Sequence, residues 1–195
     1  DGRECDQIPA GFNARTGVHE YGGGVYAVGS GTIYFTNWED QRIYRVVGNA
    51  SPQPLTDLPE IAKGDRYADL TINGNSHWLC CVRERHRTTG EPINDLVAVS
   101  TTEPGSLRVL TSGHDFFSSP RLSPNGRKIC WLSWDHPNMP WDGCVLWVAD
   151  FNGDGTLSNE GRIAGSKTES ITQPEWSPDG DLFFISDISG WWNLT

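Results

Sequence analysis

Short apolar runs recur along the chain, each just after a turn glycine. Ile33-Tyr34-Phe35 follows Gly31, and Trp78-Leu79-Cys80-Cys81-Val82 follows Gly74. Ile129-Cys130-Trp131-Leu132 follows Gly126, and Leu182-Phe183-Phe184-Ile185 follows Gly180. The glycines are 43, 52 and 54 residues apart, a period characteristic of propeller blades or solenoids. Consecutive apolar positions bury both faces of a strand, as happens when a sheet is sandwiched between neighbouring sheets.

A second strand pattern follows in every unit: 42–46, 95–99, 144–148 and the shorter 192–194. Three units continue through a Gly/Asn/Pro turn into an outer strand such as 107–111, and an inner strand precedes each turn at 25–28, 67–72, 119–122 and 172–176. Each unit is therefore a four-stranded antiparallel meander, one blade of an all-β propeller. The expected division is 1–17 as the end of a preceding blade or a linker, blades at 18–66, 67–118 and 119–170, and a partial blade at 171–195. Four blades are fewer than a ring of this spacing usually needs, so the chain reads as part of a larger propeller.

Counted outward from the inner strand, the apolar run after each glycine is the second strand of its blade; because a meander reverses at every turn, loops after the second and after the outer strands share one side. That side receives 18–21, 37–41, 83–94, 112–117, 134–143 and 186–191, where most of the chemically distinctive residues lie. The opposite turns carry mostly Gly, Asn, Pro and Ser.

Nine Trp, five Tyr and seven Phe with 22 Gly and 12 Pro agree with many short strands joined by tight turns. A formal charge of −10 without any Lys/Arg run argues against nucleic acid and anionic lipid as partners. No apolar stretch approaches the ~20 residues of a membrane-spanning helix, and no signal segment is visible. The five cysteines, Cys5, Cys80, Cys81, Cys130 and Cys144, lack zinc-type spacing and read as reduced thiols of a cytoplasmic protein. Cys130 and Cys144 fall on consecutive strands, which leaves a facing pair and a disulfide open. Sequons at Asn49 and Asn193 matter only in a secreted eukaryotic protein. Asp150, Asn152, Asp154 and Gly155 match the opening of a calcium loop, but position twelve is Gly161 and Glu160 comes one place early, so an Asx-rich turn is expected. Neither a metal nor a cofactor is expected.

Several motifs in order are more specific: VHEYGGG at 18–24, FTNWEDQRIY at 35–44, RYADL at 66–70, VRERH at 82–86, SWDHPNMPWDG at 133–143, PEWSPDG at 174–180 and SDISGWWNL at 186–194. Over residues ~15–195 the chain resembles the N-terminal β-propeller of the prolyl oligopeptidase family, nearest its bacterial acylaminoacyl-peptidase and dipeptidyl-aminopeptidase branch. The resemblance implies a commonly seven-bladed propeller that admits short peptides to a C-terminal α/β-hydrolase domain with a serine triad. The chain contains no G-x-S-x-G elbow, so that domain is absent from it and no catalytic residue is assigned. The 195 residues alone are expected to be inactive. A stand-alone propeller similar to TolB, acting as a binding scaffold, is the other reading; its repeats explain the turns but not the loops.

Within this frame, Trp134, Asp135, His136, Trp141 and Asp142 belong to a loop preorganised by two prolines, suited to substrate contact or to rigid interdomain packing. Arg83 and Glu84 could meet a peptide carboxylate and a free amino terminus, with His86 beside them; the alternative is a mutual ion-pair network at a blade edge. His19 and Glu20 precede three glycines, and tight packing near the central axis is the preferred reading over a catalytic pair. His114-Asp115 is read in the same way.

Overall fold

The structure, a computed structural model, describes residues 5–73 and 77–195; Gly74, one of the four repeat glycines, and residues 1–4 lie outside this range. The first sheet consists of β1 (Tyr26–Gly29), β2 (Thr32–Thr36), β3 (Ile43–Val47) and β4 (Gln53–Pro54). The second contains β5 (Asp65–Ile72), β6 (Trp78–Arg85), β7 (Ile93–Ser100) and β8 (Leu107–Ser112). The third contains β9 (Phe116–Leu122), β10 (Lys128–Trp134), β11 (Val145–Phe151) and β12 (Leu157–Gly165), and the fourth β13 (Ile171–Trp176), β14 (Leu182–Ser186) and β15 (Asn193–Leu194). In each sheet the spatial order is the chain order and every pairing is antiparallel. These are the meanders of propeller blades, as the repeat predicted.

The turns form for local reasons. Ser123 Oγ accepts the Lys128 amide at 3.0 Å, Asn125 Oδ1 accepts the Arg127 amide at 2.9 Å, and Gly126 at φ 68° takes the left-handed position that disfavours a Cβ. Ser177 and Gly180 repeat the arrangement.

Strand alternation distributes the core between neighbouring sheets. Leu79 and Cys81 of β6 pack toward Tyr34, Ile43 and Leu55 of the first unit. Cys80 and Val82 face Phe117, Ile129 and Trp131 of the third sheet. On β10 the pattern repeats, with Cys130 and Leu132 turned toward Ile171 and Phe184 of the fourth sheet. Each fully buried aliphatic side chain contributes about 1.5–3 kcal/mol, so successive sheets hold one another.

The alternative left open for Cys130 and Cys144 is not realised: the two do not face each other. Cys130 pairs with Val148, whereas Cys144 precedes the Ser133–Val145 pair, four register steps away. All five cysteines are free thiols. Cys144 Sγ instead meets the Ile171 backbone N and O at 3.2 Å. Burial pushes the Cys130 thiol up to about 12 and raises those of Cys80, Cys81 and Cys144 as well.

The first strands of successive sheets, β1, β5, β9 and β13, lie side by side and form the inner wall. Three of them carry a bulge with a left-handed residue: Asp69 at φ 55°, Ser119 at 52° and Gln173 at 51°. Such a conformation costs about 1–2 kcal/mol for a residue with a Cβ. At Asp69 the return is clear. Its amide donates to Gly24 O at 2.6 Å, its Oδ1 accepts the Gly24 amide at 2.7 Å, and its Oδ2 accepts the Ser119 amide at 2.9 Å. One carboxylate thus joins the first three units. Gly23 permits the approach, because a Cβ there would lie 2.9 Å from Asp69 Oδ1 and 3.0 Å from Ala68 Cβ.

Asp69→Ala removes both acceptors and should destabilise the protein by about 2 kcal/mol, more than Asp69→Asn, which keeps one. Denaturant midpoints of the two variants check the ranking. Native thiol titration at pH 8 should label Cys5 rapidly and the four buried cysteines only after unfolding; rapid reaction of Cys80 or Cys130 would contradict this packing.

Candidate functional site

The segment before β1 reaches across the structure rather than staying with its own sheet. Val18 is buried in the core between the second and third sheets. Beyond it His19 and Glu20 are both left-handed, at φ 52° and 65°. Adjacent strained residues persist only when their surroundings over-determine them. Here the His19 amide donates to Glu84 Oε2 at 2.8 Å. Arg66 Nη1 contacts Gly17 O and Glu20 Oε1 at 2.7 Å and Glu84 Oε1 at 3.3 Å. His86 Nε2 completes the set, 2.7 Å from the same Glu84 oxygen.

Alternation along β6 separates Glu84 from its neighbours in sequence. Glu84 turns to the His19 side, while Arg83 turns away and holds Asp95 through Nε and Nη2 at 2.9 and 2.7 Å. Arg85 shares that carboxylate at 3.3 Å. Arg83 is 8 % and Glu84 4 % exposed. Both charges are therefore already neutralised by neighbours, the arrangement of an ion-pair network at a blade edge.

A second cluster adjoins the first. Phe116 stacks on Trp134 with centroids 5.4 Å apart, and the His19 ring stands edge-on to them at 5.3 and 5.9 Å. His136 lies 5.0 Å from Phe116. Two dipeptides then pair reciprocally: His114 Nδ1 with Asp135 Oδ2 at 2.8 Å, and His136 Nδ1 with Asp115 Oδ2 at 3.1 Å. The Asp115 and His136 amides add bonds of 2.8 and 2.9 Å to Asp135 and Asp115. His136, through its backbone and side chain, holds the Asp115 carboxyl below its ordinary range. Asn94 Nδ2 donates to Asp115 O at 2.7 Å and links this cluster to the second sheet.

The structure thus brings His19, Glu20, Glu84 and His86 into one network and Trp134, Asp135 and His136 into another, joined through the His19 ring. Arg83 stands apart with Asp95. Trp141 and Asp142 lie at the far end of their loop, Trp141 63 % exposed and Asp142 accepting the Met139 amide at 2.8 Å. Arg66, Asn94 and Phe116, which complete the clusters, carried no signal beyond membership of a strand or motif. Glu20, Glu84 and His86 could present ligand atoms within 4.8 Å of one another, but the Arg66 guanidinium already sits against both carboxylates. At the calcium-like turn, Asp150 is taken by Lys128 and Asn159, and Asp154 by Thr156.

Burial lowers the His19 pKa, against the opposing pull of Glu84 and Asp69. The imidazole is thus held neutral in the folded protein, and below its unfolded pKa of about 6.5 the unfolded chain binds more protons. Its contribution to stability is present above that value and is lost as the pH falls through it. Urea unfolding from pH 7.5 to 5.5 should show this loss, and His19→Gln should flatten the slope; an unchanged slope would refute the assignment.

No family model matches the chain, and no curated protein matches it. Solved structures do. A puromycin-hydrolysing peptidase of Mycobacterium tuberculosis superposes with a TM-score of 0.89 at 34% identity, covering 99% of this chain and 32% of that one. A puromycin hydrolase complexed with PGG gives 0.88 at 36% identity, with 99% and 32% covered. TolB from Acinetobacter baumannii, at 0.53 and 17% identity over 84% of this chain and 40% of its own, shares the fold alone. The chain spans about a third of the length of the two peptidases. On this similarity over nearly its whole length, the chain belongs to the prolyl oligopeptidase family, of which it is a β-propeller portion.

Proposed function

We propose that this chain is the substrate-admitting propeller of a serine peptidase that cleaves short peptides or aminoacyl amides. The observation that carries the reading is 34–36% identity across 99% of the chain with peptidases named for puromycin hydrolysis. Specificity for acylated residues, dipeptides or single amino acids, as in the acylaminoacyl and dipeptidyl branch, is the finer form of the proposal.

In this reading a hydrolase domain of the same polypeptide covers the side bearing loops 134–143 and 186–191. Trp141, Ile188 and Trp191 support that arrangement: they are 63, 74 and 78 % exposed on two loops that both bond to Ser170, and exposed apolar side chains gathered on one side mark contact surfaces. The Glu84 network and the His–Asp pairs act as rigid supports, fixing the loops between which a peptide passes. Further blades would complete the ring against the exposed Tyr26 and Val28 of the first sheet and Phe183 and Leu194 of the fourth. No helix among the described residues is long and apolar enough to cross a membrane, and the free thiols suit a cytoplasmic setting.

The protein as encoded should hydrolyse short aminoacyl substrates, puromycin among them, and lose that activity to a serine-directed fluorophosphonate. Residues 1–195 alone should hydrolyse none. Release of product by the isolated segment, or an encoded protein that binds ligands without any serine-dependent hydrolysis, would favour the TolB-like scaffold reading instead.

A further inference from the structure

We infer that the cleft within the third unit is a binding site for a carboxylate carried on an apolar or aromatic body. It shares Trp134, Asp135 and His136 with the second cluster, is not lined by Glu84 or its partners, and does not depend on the peptidase reading. The cleft, about 480 Å³, opens between loop 134–143 and the end of β12, with walls from Trp134, His136, Cys144, Val145, Arg162 and Lys167.

Three features point to this ligand. The first is charge: Asp135, which also lines the cleft, has its oxygens engaged by the His114 ring and the Asp115 amide, each at 2.8 Å. Arg162 and Lys167 form no ion pair among the described residues. Two cations thus face one carboxylate across this space, a local excess of positive charge in a chain of net charge −10.

The second is preorganisation. Arg162 Nη2 donates to Gly165 O, which anchors the guanidinium while leaving its other donors available. Asn138 Nδ2 donates to Lys167 O at 2.8 Å, and the Cys144 amide donates to Glu169 O at 3.1 Å, so the two walls are tied together. Gly143 has no room for a Cβ against Ser166 and Lys167. Little ordering is left to be done on binding.

The third is the lining, where the exposed His136 ring and the half-buried Val145 side chain offer apolar surface beside the cations, backed by the buried Trp134 and Cys144. A few placed polar groups in an apolar cleft are the usual composition of a small-ligand site. Guanidinium and ammonium groups select an anion, and the guanidinium fork suits a carboxylate. That carboxylate could be the free C-terminus of a peptide or an acidic side chain.

Calorimetric titration of the encoded protein, its reactive serine blocked with fluorophosphonate, distinguishes the sources. The probes are N-acetylphenylalanine, its carboxamide, and acetylated glutamyl-phenylalanine amide. Binding of the first but not the carboxamide assigns a C-terminal carboxylate; binding of the third assigns an acidic side chain. Either should weaken at least about tenfold in Arg162→Gln/Lys167→Gln and on raising salt to 0.5 M. Both side chains are exposed, so the variants should fold, and the two single substitutions provide an independent reading. Equal affinity for acid and carboxamide, no binding of either acid, or binding unaffected by the double substitution overturns the inference.

Discussion

The Asp69 carboxylate is the interaction on which the inner wall depends. Three sheets approach one another there through backbone, and backbone amides facing a neighbouring sheet need acceptors. A side chain with two oxygens on a left-handed bulge meets the Gly24 and Ser119 amides at once. The conformational cost is local, whereas the bonds extend across two seams. The glycines at 22–24 are the other half of this device, since a Cβ at Gly23 would occupy the space Asp69 uses.

That seam carries the candidate site. With Gly24 fixed against Asp69, the preceding residues are led over the second sheet, Val18 enters the core between the second and third sheets, and His19 and Glu20 accept left-handed backbone to follow. Their strain is held by Glu84 and Arg66 of the second unit and the Phe116–Trp134 stack of the third. Loops from three blades are thereby set relative to one another before any partner arrives. The carboxylate cleft is built differently, within a single unit, by ties between a loop and the outer strand beside it.

Much of the fold was legible in the chain because its repeat is local. Serine and glycine turns, apolar runs and meander connectivity depend on neighbours a few residues away, and the reversal of direction at each turn alone assigned the distinctive loops to one side. The alternation of side chains between the two faces of β6 separates Arg83 from Glu84, a consequence not drawn from the motif. The possible pairing of Cys130 with Cys144 failed for a comparable reason: consecutive strands were evident, but their register was not.

By itself, then, the sequence determined the all-β class, the blade repeat, the family resemblance and the side on which the chemistry gathers, since each rests on local pattern and order of motifs. Only the tertiary structure decided which charges are already spent and which remain open. Glu84 is enclosed by residues from positions 19, 66 and 86, and Arg83 by Asp95, while Arg162 and Lys167 form no ion pair among the described residues. Charge compensation depends on distances of a few ångströms between residues far apart in the chain, and no spacing within one chain segment encodes those distances.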